Sequence, residues 1–289
     1  MARLAWLTGN SFKAPEQARP QLELSGPLLS EAFKAVARGS EELGGVERYV
    51  EALKLKAALF QDTLGAGKAA RLDLHRLMGL CAFMATVRRR IAPYLNEDGL
   101  ARIRDGLEQL LAGLGDASTT DARVAAFCAR FPRDKAHRYI RDLAVEALHN
   151  VDPERYPLMN RWVWDAGANT GAVREIWFAD NVDRLTIPLD DGYATFLALR
   201  EELSQFLTDQ GLFRDVLFYV DLVTAQVYAN YISAQGGAYL RTDFSSPEDP
   251  MIHTRRILGL DGVRPGSNRT RLKAIDGEAF VLEDAKLLA

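Results

Sequence analysis

Aromatic, cationic and acidic side chains are interleaved between Asp152 and Asn181. This stretch, here called the tryptophan block, contains three of the four tryptophans of the chain. Indole rings beside guanidinium and amide groups can stack on, clamp or hydrogen-bond a partner. The candidate binding residues of the block are Arg161, Trp162, Trp164, Asn169, Arg174 and Trp177. The same composition suits an internal elbow, in which the indoles fill the core and the charges tie down loops, so the sequence leaves both interpretations open.

Three carboxylates are the candidate acid–base groups. Asp165 and Glu175 belong to the tryptophan block, and Asp221 lies on a later, mostly apolar stretch. A buried Asp221 would be costly without a cation, which Arg161 or Arg174 could supply. If the chain is an enzyme, we therefore expect Asp165, Arg174 and Asp221 to line one pocket for an anionic small molecule.

A basic segment follows at 251–273, where six cations face a single acid, Asp261. The candidate anion-binding residues are Arg255, Arg256, Arg264, Arg269, Arg271 and Lys273. Guanidinium forks beside flexible backbone amides can hold phosphate or carboxylate groups. The favoured interpretation is a solvated loop paired with acidic helices of this same protein. Contact with nucleic acid or another anion, or with the acidic face of a protein partner, stays open.

Two short patterns come close to known ligand sites without completing them. Gly65-Ala66-Gly67-Lys68 ends like a phosphate-binding loop, but Asp62 stands where that loop needs glycine, and Ala69 where it needs Ser or Thr. Glu146 and His149 have the spacing of a di-iron ligand pair on a helix. The only similar pair, at 134 and 137, would lie about 18 Å away along the same helix. We therefore predict no metal site and no cofactor.

Composition narrows the class of protein. The chain has 289 residues, a net charge of −3 and 48% hydrophobic residues, which is typical of a globular protein without overall attraction to nucleic acid or anionic lipid. No segment reaches the roughly 18 apolar residues that a membrane span requires. Cys81 and Cys128 lie in apolar runs and are expected to be buried free thiols. We expect a cytoplasmic protein without a membrane partner.

Hydrophobic periodicity predicts a mainly α fold, a single multi-helix bundle-like body with a small C-terminal β-hairpin. The predicted divisions are an irregular N-terminal arm (1–26), a helical body (27–250, with its junction at 152–181), and a basic segment with a hairpin appendage (251–289). The longer predicted helices cover 46–64, 70–92, 96–114, 120–131, 134–149, 191–209 and 212–234. The hairpin prediction depends on Asp276-Gly277 between two strand-like runs.

The first functional hypothesis is an accessory or interaction protein, without chemistry of its own, that binds another macromolecule through an aromatic–arginine surface of the tryptophan block. A protein partner is favoured, because the chain has only four histidines and no complete catalytic motif. The alternatives are the enzyme with its anionic substrate near Asp165, Arg174 and Asp221, and a nucleic-acid-binding protein that uses residues 251–273. A deep pocket would favour the enzyme, and a flat exposed tryptophan face would favour the partner protein.

Overall fold

The computed structural model describes residues 20–41, 44–236, 251–260, 271–273 and 279–281, and this part of the chain is mainly α-helical as predicted. Its α-helices are α1 (Gly26–Ser40), α2 (Glu47–Leu64), α3 (Leu74–Ala82), α4 (Glu97–Ala112), α5 (Thr120–Cys128), α6 (Tyr139–Val151), α7 (Ala172–Glu175), α8 (Tyr193–Asp209), α9 (Val216–Gly236) and α10 (Ile252–Leu258). Short 3-10 helices lie at Lys68–Arg71, Ala92–Tyr94, Ala117–Thr119, Lys135–His137 and Val182–Arg184.

Side-chain caps fix where several helices begin. Asn96 accepts a hydrogen bond of 2.8 Å from the Gly99 amide at the start of α4, as its position in the sequence predicts. Asp73 accepts one of 2.7 Å from the Arg76 amide at the start of α3. These caps satisfy amides that have no partner within the helix.

Two helices, α6 and α9, organise the packing. The α6 helix contacts α2, α4 and α5, and α9 contacts α1, α2, α7, α8 and α10. Since α2 touches both, it joins the two groups. The buried apolar side chains form one connected cluster that runs from Leu29 in α1 to Leu260 after α10. As predicted, α9 is apolar on nearly all sides, because it is surrounded by other elements.

The predicted helix over 70–92 is wrong beyond Ala82. The chain continues as turns, in which Met84 and Val87 bond to carbonyls three residues earlier. The Arg88 guanidinium donates to the Ala82 carbonyl at 3.3 Å, a group that a continued helix would pair with the amide of residue 86. The α3 helix thus ends at the residue whose carbonyl accepts this side-chain hydrogen bond.

The loop structure expected around residue 253 is also wrong, because residues 252–258 form α10. Gly259 ends it with a φ of 75°, and a Cβ there would lie 1.9 Å from the Phe83 carbonyl oxygen. Only glycine fits this contact. The close approach holds α10 directly against the turns that follow α3.

The tryptophan block contains no helix between residues 157 and 171. Residues 157–160 have no regular structure, because α6 side chains hold the backbone of this segment. Arg141 donates to the Met159 carbonyl at 2.7 Å, and Asp142 accepts from the Arg161 amide at 3.2 Å. Residues 185–189 also form a loop.

The two ends of the chain are described only in part. Residues 1–19 of the expected N-terminal arm lie outside the described residues, whereas Leu24 forms a bridge with Trp177. Near the C-terminus, Arg271–Lys273 and Ala279–Val281 are paired as antiparallel strands. The turn between them lies outside the described residues, so the hairpin as a unit stays a prediction.

Two further sequence expectations concern membranes and thiols. None of the helices in the described ranges combines the length and the apolar character that crossing a bilayer requires. Cys81 is buried and Cys128 is half-buried, and both are free thiols. Burial raises the pKa of the Cys81 thiol to about 12, which keeps it protonated and unreactive near neutral pH.

Candidate functional site

The indoles of the tryptophan block lie in the core. Trp164 is completely buried, and Trp162 and Trp177 are each 7% exposed. The Trp164 Nε1 group donates to the Asp190 carbonyl at 3.1 Å, which satisfies the polar edge of its ring. The flat exposed tryptophan face that would mark a binding surface is therefore not found, and the indoles act as the elbow interpretation expects.

The polar residues of the block tie down loops. Arg174 donates to the carbonyls of Val182 and Leu185, at 2.7 and 3.1 Å. Asn169 donates to the Leu185 carbonyl at 2.9 Å and accepts from the Ile187 amide at 3.1 Å. Both side chains hold residues 182–187 against the block.

The three residues expected to share one pocket have separate surroundings. Asp165 is buried and forms an ion pair with Arg138. Arg174 lines a groove beside α1 and α9, whereas Asp221 lines a cavity of about 20 Å³, close to the size of one water molecule, between α8 and α9. The expected single pocket of Asp165, Arg174 and Asp221 is therefore wrong in the part of the chain that the structure describes.

The cation that faces Asp221 is a histidine. Asp221 Oδ2 lies 3.1 Å from His149 Nε2, whereas Arg161 pairs with Asp142 at 2.9 Å. The expectation that Arg161 or Arg174 neutralises Asp221 is therefore wrong. His149, considered above only for its spacing from Glu146, is buried.

A buried polar network surrounds α6. We call it the α6 network, and its members are Lys56, Asp142, Glu146, His149, Asn150, Asn160, Arg161 and Asp221. At its centre Lys56 Nζ lies 2.8 Å from Glu146 Oε2 and donates to the Leu258 carbonyl of α10 at 3.0 Å. The amides of Asn150 and Asn160 donate to the same Glu146 carboxylate, at 3.3 and 3.2 Å. The network joins α2, α6 and α10 across the core.

Two hydrogen-bonding partners face the ring of His149. Its Nδ1 lies 2.9 Å from the Tyr156 carbonyl and its Nε2 faces the Asp221 carboxylate. With Asp221 ionised, both partners are acceptors, which favours the imidazolium form, in which both ring nitrogens donate. Burial by itself lowers the pKa of His149, but the charge and hydrogen bond of Asp221, the Tyr156 carbonyl and the charge of Glu146 together raise it above 6.5.

Lys56 was missed by the sequence analysis. It lies on α2 between Leu53 and Phe60, on a face that the periodicity assigns to the core. A lysine on such a stripe is the signal that could have revealed a buried acid, but its partner Glu146 lies 90 residues away. In the described part of the chain, no group of three or more His, Cys, Asp or Glu side chains is arranged to hold a metal ion.

The basic segment contributes to the core as well. Arg255 is 2% exposed and donates to the Tyr49 hydroxyl at 3.4 Å, so its expected place on a solvated loop is wrong. Thr254 donates to Gln226 of α9 at 2.8 Å. Arg256 is half-buried on α10. Residues Arg264 and Arg269, and the side chains of Arg271 and Lys273, lie outside the described part.

An open groove crosses the surface at the edge of the tryptophan block. We call it the α1–α7–α9 groove. It consists of two adjoining basins, of about 460 and 270 Å³, that share Leu28, Arg174 and Glu175. Three large apolar side chains of the described residues are exposed, and two of them, Leu28 (43%) and Phe178 (65%), line this groove. The third is Phe213 (74%), which lies in the loop before α9.

Stacked aromatic rings connect the groove to the core. Tyr231 lines the larger basin and stacks on Tyr228 with 5.9 Å between ring centroids. Tyr228 in turn packs on the buried Trp162 at 5.9 Å. The walls of the groove are therefore supported by the block itself.

Comparison of the chain with protein-family models, with curated proteins and with solved structures finds no match.

Proposed function

We propose that this protein is an interaction protein that binds another protein through the α1–α7–α9 groove. The observation that carries the proposal is the exposure of Leu28 and Phe178 at the two adjoining basins. Exposed large apolar side chains around a concave surface are typical of a protein interface. The proposal keeps the aromatic–arginine surface expected from the sequence, with Phe178 and Tyr231 in place of the indoles.

The walls of the groove support a docking role. The Arg174 guanidinium is fixed by two backbone carbonyls. The Ser25 amide donates to the Ile176 carbonyl, and the Phe178 amide donates to the Glu23 carbonyl, each at 2.8 Å. A surface that is already ordered loses less entropy when a partner binds. A cytoplasmic location and a C-terminal β-hairpin remain parts of the proposal that depend on the sequence alone.

The two other functions have less support from geometry. An acid–base enzyme needs carboxylates that face a common cavity, and Asp165 and Asp221 are each engaged by a separate cation. A nucleic-acid-binding surface needs exposed cations, and Arg255 is buried in the core.

Affinity capture from the native cell, followed by mass spectrometry, tests the proposal. Phe178→Ala removes an exposed ring from the groove, and Phe213→Ala removes an equally exposed ring from a different surface. We expect a protein that the wild type and Phe213→Ala capture and that Phe178→Ala loses. Equal capture by both variants would refute the groove as the binding surface.

A further inference from the structure

The small cavity between α8 and α9 shares no wall residue with the α1–α7–α9 groove. Its volume is about 20 Å³, and a cavity must offer at least about 10–15 Å³ to hold a water molecule. Three polar side chains, Arg200, Asp221 and Thr224, line it, and the rest of its wall is apolar. Arg200 is half-buried and the other wall residues are buried, so Arg200 forms the solvent side of the cavity.

Asp221 brings a buried acceptor to this cavity. Its side chain is only 6% exposed, and its Oδ2 atom takes the contact with His149 Nε2 at 3.1 Å. Among the described residues, no group donates a hydrogen bond to the other oxygen, Oδ1. A buried carboxylate oxygen without a donor is costly, and internal water molecules commonly satisfy such groups.

Thr224 adds a second acceptor. It lies three residues after Asp221 and therefore on the same face of α9. Its hydroxyl donates to the Val220 carbonyl at 2.7 Å, which uses its proton and leaves its oxygen lone pairs free to accept. In the part of the chain that the structure describes, no protein group donates to this oxygen.

Arg200 supplies donors from the α8 side of the cavity. Its guanidinium donates to the Pro153 carbonyl at 3.0 Å and keeps further N–H groups for other acceptors. Burial lowers the pKa of Arg200, and the charge of Asp221 is among those that oppose this shift. The two groups do not pair directly, since Asp221 pairs only with His149 among the described residues. Polar groups that attract each other over more than about 3.5 Å are often joined by a water molecule.

We propose that the cavity binds one ordered water molecule, which donates to Asp221 Oδ1 and Thr224 Oγ1 and accepts from the Arg200 guanidinium. Water has two protons to donate and lone pairs to accept, so these contacts match its capacity and give it the roughly three bonds that a buried water typically makes. The water links α8 to α9 and connects Asp221 to a second cation besides His149. This site is independent of the proposed function.

A high-resolution crystal structure of the whole chain tests the site directly. We expect a single ordered water molecule in the cavity, within about 2.5–3.2 Å of Asp221 Oδ1, Thr224 Oγ1 and a nitrogen of Arg200. An empty cavity, a monatomic ion at this position, or an Arg200 that pairs directly with Asp221 would each overturn the proposal.

Oxygen-17 relaxation dispersion tests the site in solution, because it detects water molecules that stay bound for longer than the protein tumbles. Thr224→Val keeps the size of the side chain and replaces the acceptor with a methyl group. Thr208→Val is the matched control, because Thr208 makes the same kind of bond, to the Ser204 carbonyl at 2.8 Å, and does not line the cavity.

We expect Thr224→Val to lose the contribution of one long-lived water molecule, and Thr208→Val to keep the dispersion of the wild type. Far-ultraviolet circular dichroism shows beforehand that both variants are folded. Equal dispersion in the two folded variants would overturn the proposal. If Thr224→Val does not fold, the crystal structure of the wild type decides.

Discussion

The α6 network and the α1–α7–α9 groove contain similar residue types under opposite conditions. In the network, charged groups are buried and paired at about 3 Å, as with Lys56 and Glu146. In the groove, Leu28 and Phe178 leave apolar surface exposed beside carboxylates. In the network the polar side chains bind one another and hold helices together. In the groove the exposed side chains are available to a partner. Residue type alone does not separate these two uses.

Removing the central cation of the network should have the largest effect. Lys56→Met leaves the buried Glu146 without its cation, and we expect a loss of about 3–5 kcal/mol in the free energy of unfolding. Lys54→Met, two residues away, breaks a partly exposed pair with Asp215 and should cost less than about 1 kcal/mol. Urea denaturation of both variants measures the difference. Similar losses would show that the buried Lys56–Glu146 pair contributes no more to stability than a partly exposed pair.

The packing of α10 beside the network can be tested by adding a methyl group at Gly259. Gly259→Ala adds a Cβ that would lie 1.9 Å from the Phe83 carbonyl oxygen, at a φ of 75°. We expect a loss of about 2 kcal/mol or more in unfolding free energy. Gly211→Ala carries a similar positive φ, 88°, but has open space around it. We expect a smaller loss for Gly211→Ala, which measures the cost of backbone strain alone. Equal losses for the two variants in thermal or urea unfolding would contradict the close contact at Gly259.

The pH dependence of stability tests the charge of His149. Because its folded pKa is raised above 6.5, its contribution to stability is complete below that pH. The contribution is lost as pH rises through the higher folded pKa. Unfolding free energies measured from pH 6 to 9 should therefore fall more steeply in the wild type than in His149→Gln. Parallel curves would show that the imidazole is neutral in the folded protein.

The smallest effect on stability is expected in the groove. Phe178→Ala and Phe213→Ala should each change the free energy of unfolding by no more than about 0.5 kcal/mol, because both rings are mostly exposed. Chemical denaturation checks this before any binding assay. A loss above about 1 kcal/mol for Phe178→Ala alone would assign this ring to the packing of the elbow instead.

Periodicity predicts elements well where one helix face meets the core. The predicted stripe of α8 is buried at Phe196, Leu199 and Leu203, and Asn96 caps α4 as expected. It fails after Ala82, where the chain continues as turns and the Arg88 guanidinium donates to the Ala82 carbonyl, a contact that the apolar pattern does not record.

The site was harder to predict, because a single sequence shows neither which way a side chain points nor which distant residues pair. The sequence shows that the tryptophan block combines aromatic and ionic groups, but it does not show which of these groups face outward. The Lys56–Glu146 and His149–Asp221 pairs join residues 90 and 72 positions apart. No local spacing reveals pairs of this kind.

The bond from Lys56 to the Leu258 carbonyl spans 202 positions and has a consequence for synthesis in the cell. At ribosomal rates of about 5–20 residues per second, Lys56 is made roughly 10–40 s before its α10 acceptor. During that interval its ammonium group can be desolvated only by partners already translated, which include Glu146. Completion of the core therefore waits for α10, and a nascent chain that stops earlier carries a buried lysine with an unfinished set of acceptors. We therefore expect chains truncated before residue 258 to be less stable and more open to proteolysis than chains that include α10.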